Sequence, residues 1–151
     1  MQRWIAVSVV AVLLLVGGGA FAYTHHRENR EAPIWVPLPI NPELSAEKRA
    51  QIVKELKEKL SEREILMNVS KDVGLRKKWD LATDDEAAQE VGKRLFVKLG
   101  EADTAMGKVP ALHIGVTGKQ KEQKVLGEIA VRMMDDVSKI LGLAPPPSKG
   151  S

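Results

Sequence analysis

The chain has 151 residues, with 23 lysines and arginines against 20 aspartates and glutamates, a formal charge of +3. That slight excess is interspersed with acids, and aromatics make up only 4% of the residues, so composition gives no case for nucleic acid as a partner. There is no cysteine, which excludes disulfides and thiolate metal sites, and the length fits one apolar segment plus one small domain.

The stretch "WIAVSVVAVLLLVGGGAFAY", residues 4–23, carries no charge. About 20 apolar residues in a helix span a bilayer core. Trp4 and Tyr23 stand at its two ends, where amphipathic rings favour the interface. A cleaved signal peptide fits the same residues. Arg3 supplies a thin positive start, Ala20, Phe21 and Ala22 form a small-x-small cleavage site, and Gly17, Gly18 and Gly19 interrupt the helix before it. Residues 1–24 are thus a transmembrane anchor or a signal peptide. Either way residues 25–151 are exported. Arg3 on one side and Arg27 and Arg30 on the other leave orientation open on charge alone.

"HHRENREAP" is polar and reads as a linker over 25–33. His25 and His26 are two of the chain's three histidines. A zinc site needs three or four converging ligands, so adjacent histidines here read as solvated. "IWVPLPINP" alternates weakly, and Pro37 and Pro39 cannot donate to a ladder, which predicts an edge strand. Asn41 and Pro42, or Ser45, then open a helix with Val53, Leu56 and Leu60 on one face. Ser61-x-x-Glu64 reads as a capping box for a second helix carrying Ile65, Leu66, Val69 and Val73 at helical spacing. Gly74 reads as its left-handed cap, with Leu75 packing back over it. Thr83-x-x-Glu86 is a further capping box, for a helix with the stripe Ala87, Ala88, Val91 and Leu95.

"LFVKL" reads as a short strand, and "PALHIGVTG" alternates cleanly, with Leu112, Ile114 and Val116 on one face and His113, Gly115 and Thr117 on the other. Residues 100–108 look too long for a tight hairpin and are expected as a mobile loop joining antiparallel neighbours. A last helix over roughly 119–141 carries Leu126, Ile129, Ala130, Met133, Val137 and Ile140 in one stripe. Residues 142–151 are a proline-rich tail. The expected fold is α+β: an N-terminal transmembrane helix, then a small antiparallel sheet over 34–141 with helices packed on one face.

Sites are hard to assemble from these residues. "GVTGKQ" has two residues between its glycines where a phosphate loop needs four, and Gln120 stands in the place of the magnesium-binding hydroxyl. "GEADTAMGKV" has six between its glycines and Val109 in that place. Gly118 and Lys119 therefore read as a turn and a solvated cation. His113 has no serine and acid placed with it. Asp84, Asp85 and Glu86 fall in the first turn of a helix, where carboxylates favour the dipole. Asp135 and Asp136 read as a surface pair, and Met133 and Met134 as ordinary gap filling. No catalytic, cofactor or metal residue is assigned.

The spacing Ser61-x3-Ile65-x3-Val69-x3-Val73-Gly74-Leu75-x3-Trp79 resembles the "S…I…V…LGL…W" helix of the Wzz/GumC-type chain-length determinants, the polysaccharide co-polymerases of bacterial envelopes. "DDEAAQEVGKRLFVKL" is similar to that family's acidic helix running into a strand. "VPALHIGVTGKQKEQKVLGEIAVRMMDDV" is similar to its strand, turn and long helix. The resemblance covers roughly 32–141. It implies a single-pass inner-membrane protein with its C-terminal domain in the periplasm. It implies a non-enzymatic role in exopolysaccharide or O-antigen chain-length control or export. The implied partners are membrane lipid, polysaccharide polymerase or export proteins, and further copies of the chain in a ring. The chain departs from the family in having no second membrane helix, and in Val125, Leu126 and Val131 where the last helix usually carries small residues and asparagine. The alternative is a secreted periplasmic interaction module released after Ala22.

Overall fold

The computed structural model describes residues 29–143. The apolar run at 4–23, His25, His26 and the tail from 144 lie outside the described residues. Among the described residues no helix is long and apolar enough to cross a membrane.

The elements run β1 (Ile34–Pro39), α1 (Ala46–Leu60), α2 (Arg63–Val73), α3 (Leu75–Lys78), α4 (Asp84–Arg94), β2 (Leu95–Thr104), β3 (Gly107–Val116), a 3-10 turn (Gln120–Glu122) and α5 (Gln123–Ile140). The chain is α+β, with one three-stranded antiparallel sheet in the order β1-β3-β2. Ile34, Val116 and Leu95 form one cross-strand row, and Val36, Ile114 and Val97 the next. Paired residues share a face, so these rows define one apolar side. The strand residues of the main hydrophobic cluster come from that side, where Leu95, Val97, Leu112, Ile114 and Val116 meet the stripes of all five helices, while the small Ala102 and Ala111 are buried on the other. The expected division of β3 into two faces is found, and the expected packing of helices on one face follows from it.

Two helix starts follow the sequence. Ser45 caps α1 by accepting from the Lys48 amide. Thr83 caps α4 by accepting from the Glu86 amide, while the Glu86 carboxylate reaches back to the Ala82 amide. Gly74 ends α2 at φ 71°, a left-handed conformation that costs glycine little. Leu75 beyond it is fully buried.

Four expectations are corrected. Ser61 does not cap α2. It continues the αR conformation of α1, and its hydroxyl donates to the Lys57 carbonyl, so Glu62 occupies the cap without a side-chain bond. Leu95 is not a helical stripe residue. It takes extended angles as the first residue of β2, so α4 enters the strand with no loop between. The loop expected at 100–108 is the outer half of a hairpin. β2 and β3 are ten residues each, joined through Ala105 and Met106 alone. The Thr104 hydroxyl braces this turn, donating to the Gly107 carbonyl and accepting from the Met106 amide. Glu101, Asp103 and Thr104 are all exposed, so this half carries no apolar alternation to read. Lastly, the final helix starts as a 3-10 turn, and its α-helical part begins at Gln123.

The hydrogen-bond phase separates the two edges of the sheet. Ala32 donates to the Gly118 carbonyl and Ile40 to the Pro110 carbonyl, so the even-numbered residues of β1 bond to β3. The odd-numbered backbone groups point away from the sheet. Three of them belong to Pro33, Pro37 and Pro39, which have no N–H, and only Trp35 offers an outward donor. On β2 the bond from the Thr117 amide to the Arg94 carbonyl sets the same kind of phase. The outward amides there belong to Val97, Leu99, Glu101 and Asp103, and none has an acceptor among the described residues. One edge is blunted by proline, and the other is open.

Candidate functional site

The stretch around Lys119 is occupied by its own chain. Helix-start amides hold phosphate only when they are free to donate. Here the Lys119 amide donates to the Glu122 carboxylate at 2.8 Å and the Gln120 amide to the Arg30 carbonyl at 2.9 Å. A phosphate at this position would face Glu122. Gly118 is needed for space rather than for a left-handed turn, since a Cβ would meet the Leu126 methyls at 2.8 and 2.9 Å. The geometry of a strand-to-helix turn is complete without a ligand.

Beside that turn lies a cleft of about 510 Å³. It is built from the end of α3, the loop after it, α4 and the start of the last helix. Its centre is Arg94, whose guanidinium lies 4.6 Å from the centre of the Trp79 ring. Arg94 Nε donates to Glu90 at 2.9 Å, one turn back on α4, and Nη1 donates to Glu122 at 3.1 Å. Lys78 at the rim is paired with Glu128 on the last helix. The Trp79 indole N–H is buried without an acceptor among the described residues. Asp80, next to it, holds a left-handed φ of 52°, which lets the chain double back so that the Leu81 amide reaches the Arg76 carbonyl.

At the centre of the cleft Glu90, Arg94 and Glu122 satisfy one another. Burial alone would raise the Glu122 pKa, but the Lys119 amide, the Arg94 guanidinium and the Lys119 charge outweigh it and hold the carboxyl below its ordinary range. A general acid working near neutrality needs the opposite displacement. What the arrangement offers is a groove of mixed lining with one aromatic ring and one guanidinium at its centre. The sequence reading missed this network. Its signals were the i,i+4 spacing of Glu90 and Arg94 and Trp79 closing the second helix unit.

The other candidates separate. His113 stacks on Trp35, with ring centres 5.5 Å apart and 20° between planes, and its Nε2 lies 2.9 Å from the Glu101 carbonyl. Its ring covers Gly100, where a Cβ would meet it at 2.4 Å. Asp84, Asp85 and Glu86 do open α4, and Arg63 and Gln89 hydrogen-bond Asp85 and hold its pKa below the ordinary value. Asp135 is exposed as expected, but Asp136 corrects the surface-pair reading. Its side chain is only 13% exposed and accepts from Arg132, which also grips Asp72 on α2. Met133 enters the core, and Met134 packs at its margin. Among the described residues no three or more histidines, aspartates or glutamates cluster as a metal site. His25 and His26 lie outside that description.

No protein-family model, no curated protein and no solved structure matches this chain.

Proposed function

We propose that this chain is a membrane-anchored, non-enzymatic envelope protein that assists the length control or export of an exopolysaccharide or O-antigen. The observation that carries the reading is how little chain separates the apolar run from the folded domain. The Arg30 carbonyl already accepts from Gln120, only seven residues after Tyr23. Seven residues reach at most about 25 Å. A domain on so short a tether works beside the membrane.

The resemblance to the Wzz/GumC-type determinants supplies the rest of the proposal. Its helix motif begins at Ser61, the C-cap of α1, runs along α2, the Gly74 cap and α3, and ends at Trp79, which lines the cleft. Its acidic helix runs straight into β2. Partners of such a protein are membrane lipid, polymerase or export proteins and further copies of the chain. The helices over 41–73 and the charged side of 119–141 are the surfaces assigned to copy–copy contact. Deleting the chain from its host should change the length distribution of surface polysaccharide on a gel, and an unchanged ladder overturns the proposal. The small-x-small site at Ala20 to Ala22 favours a second reading, a released periplasmic interaction module. N-terminal sequencing of the mature chain separates the two.

A further inference from the structure

The side of the sheet opposite the core contributes no strand residue to the hydrophobic cluster. It is nevertheless not a charged surface. The outward row from Trp35 runs through Gly115 to Phe96, and the next from Pro37 through His113 to Lys98. Trp35 is 45% exposed, and Pro37, Pro39 and Lys98 are exposed. Between residues 33 and 39, 96 and 104, and 107 and 115, no position on this side holds a carboxylate. The acids of β2, Glu101 and Asp103, sit in the opposite phase. One cation, Lys98, stands on the face, its ammonium 5.2 Å from the centre of the Phe96 ring.

We infer that this open face of the sheet lies against the bilayer surface, with Trp35 and Lys98 as its contact points. The inference rests on the anchored reading of residues 4–23. The physical case has three parts. Exposed tryptophan prefers the level of the lipid headgroups, where its ring is half apolar and its N–H stays hydrated. A lysine on a face whose one acid, Glu31, lies beyond the strand end opposite Lys119 is drawn to anionic headgroups, while a carboxylate at its centre would be repelled. The chain from the apolar run leads into β1, and the twelve residues from Tyr23 to Trp35 hold that ring within about 43 Å of the membrane. One tryptophan and one lysine bind a surface weakly by themselves. Confinement by the anchor raises their effective concentration, so weak contacts suffice.

The chain has no cysteine, which allows single labelled positions to report on this directly. Lys98→Cys marks the open face. Lys54→Cys marks the exposed side of α1, beyond the core. The full chain is reconstituted into vesicles of phosphatidylethanolamine and phosphatidylglycerol, and each position carries an environment-sensitive fluorophore. Nitroxide at headgroup level should quench the label at 98 several-fold more than the label at 54. Aqueous iodide should show the reverse order. Trp35→Ala, in an exposed ring outside the core, should narrow the difference. Equal quenching at both positions, in a chain that still floats with the vesicles, overturns the inference and leaves the anchor intact. A chain that fails to float sinks the anchored reading and this inference with it. Protection of position 98 that requires added polysaccharide in place of lipid assigns the face to a glycan and also overturns it.

Discussion

The Arg94 guanidinium stands 4.6 Å from the centre of the Trp79 ring while pairing with Glu90 and Glu122. One side chain thereby ties together α4, the loop after α3 and the turn that opens the last helix. Arg94→Ala removes the stacking and leaves two carboxylates facing each other. With the arginine side chain 24% exposed, the expected cost is about 1–2 kcal/mol, read as a lowered urea midpoint with an unchanged slope. Arg94→Lys keeps the charge but loses the planar fork, and should recover less than half of the loss. An alanine variant as stable as the parent would show the network to be incidental.

Glu122 gives the same network a pH dependence. Its folded-state pKa lies below the ordinary 4.5. Such a group stabilises the fold fully above its unfolded pKa, and that contribution is lost as the pH falls through the folded value. Glu122→Gln should therefore be less stable than the parent at neutral pH, with the two thermal midpoints converging in acid below 4.5. A gap that stays constant into acid would place the effect in packing and not in the carboxylate.

Two glycines should respond in opposite directions to the same substitution. At Gly115 a Cβ would meet the Ile34 carbonyl oxygen at 2.0 Å, so β1 and β3 must part to admit it. Gly115→Ala should cost roughly 2 kcal/mol or more, as an overpacked site does. Gly127 lies inside α5 with nothing within 4 Å of a Cβ. Gly127→Ala should stabilise by about 0.5–1 kcal/mol, because alanine loses less backbone freedom on folding. Thermal melts of both variants in the same buffer decide this. Destabilisation by Gly127→Ala would mean that the helix face at 127 is covered by something other than solvent.

The elements most legible in the sequence were those whose burial imposes a period. The stripe of α5 and the alternation of Leu112, Ile114 and Val116 are buried at every expected position but Ile140, which is half-buried and packs against the core. Gly74 was legible because a left-handed angle at a helix end selects glycine. The outer hairpin was not. Apart from the small Ala102, its residues from 101 to 108 are exposed, and Ala105-Met106 lacks the Asn-Gly signature of a two-residue turn. Ser61 misled because a capping-box spacing also arises where a serine ends one helix two residues before the next begins. The Arg94 network joins residues from 79 to 122, and no local pattern reports a contact that distant in sequence. The missing loop spacing around Lys119 was legible, but the partner of its amide, the Glu122 carboxylate, appears only in three dimensions.

The prolines of β1 make the last prediction. An exposed strand edge pairs with another chain when it offers both N–H and C=O groups. Pro33, Pro37 and Pro39 occupy outward positions, so β1 offers acceptors and, apart from Trp35, no donors. β2 offers both through Val97, Leu99 and Asp103, while the Glu101 carbonyl already meets His113. With one edge blunted, strand addition between copies is limited to β2 against β2, which closes as a two-fold pair. Restoring donors on β1 would give every copy two competent edges, and β1-to-β2 addition is heterologous and need not close. Pro37→Val with Pro39→Val should therefore fold, since neither proline makes an inward ladder bond and both are exposed. It should then associate in a concentration-dependent, open-ended way. Light scattering of the full chain in mild detergent, parent beside double variant, reads the difference directly. The parent should hold a fixed mass as concentration rises while the variant keeps growing. Identical masses at every concentration would mean that the edge is closed by something other than its prolines, and copy–copy contact through the helices would then be the only assembly surface left to these described residues.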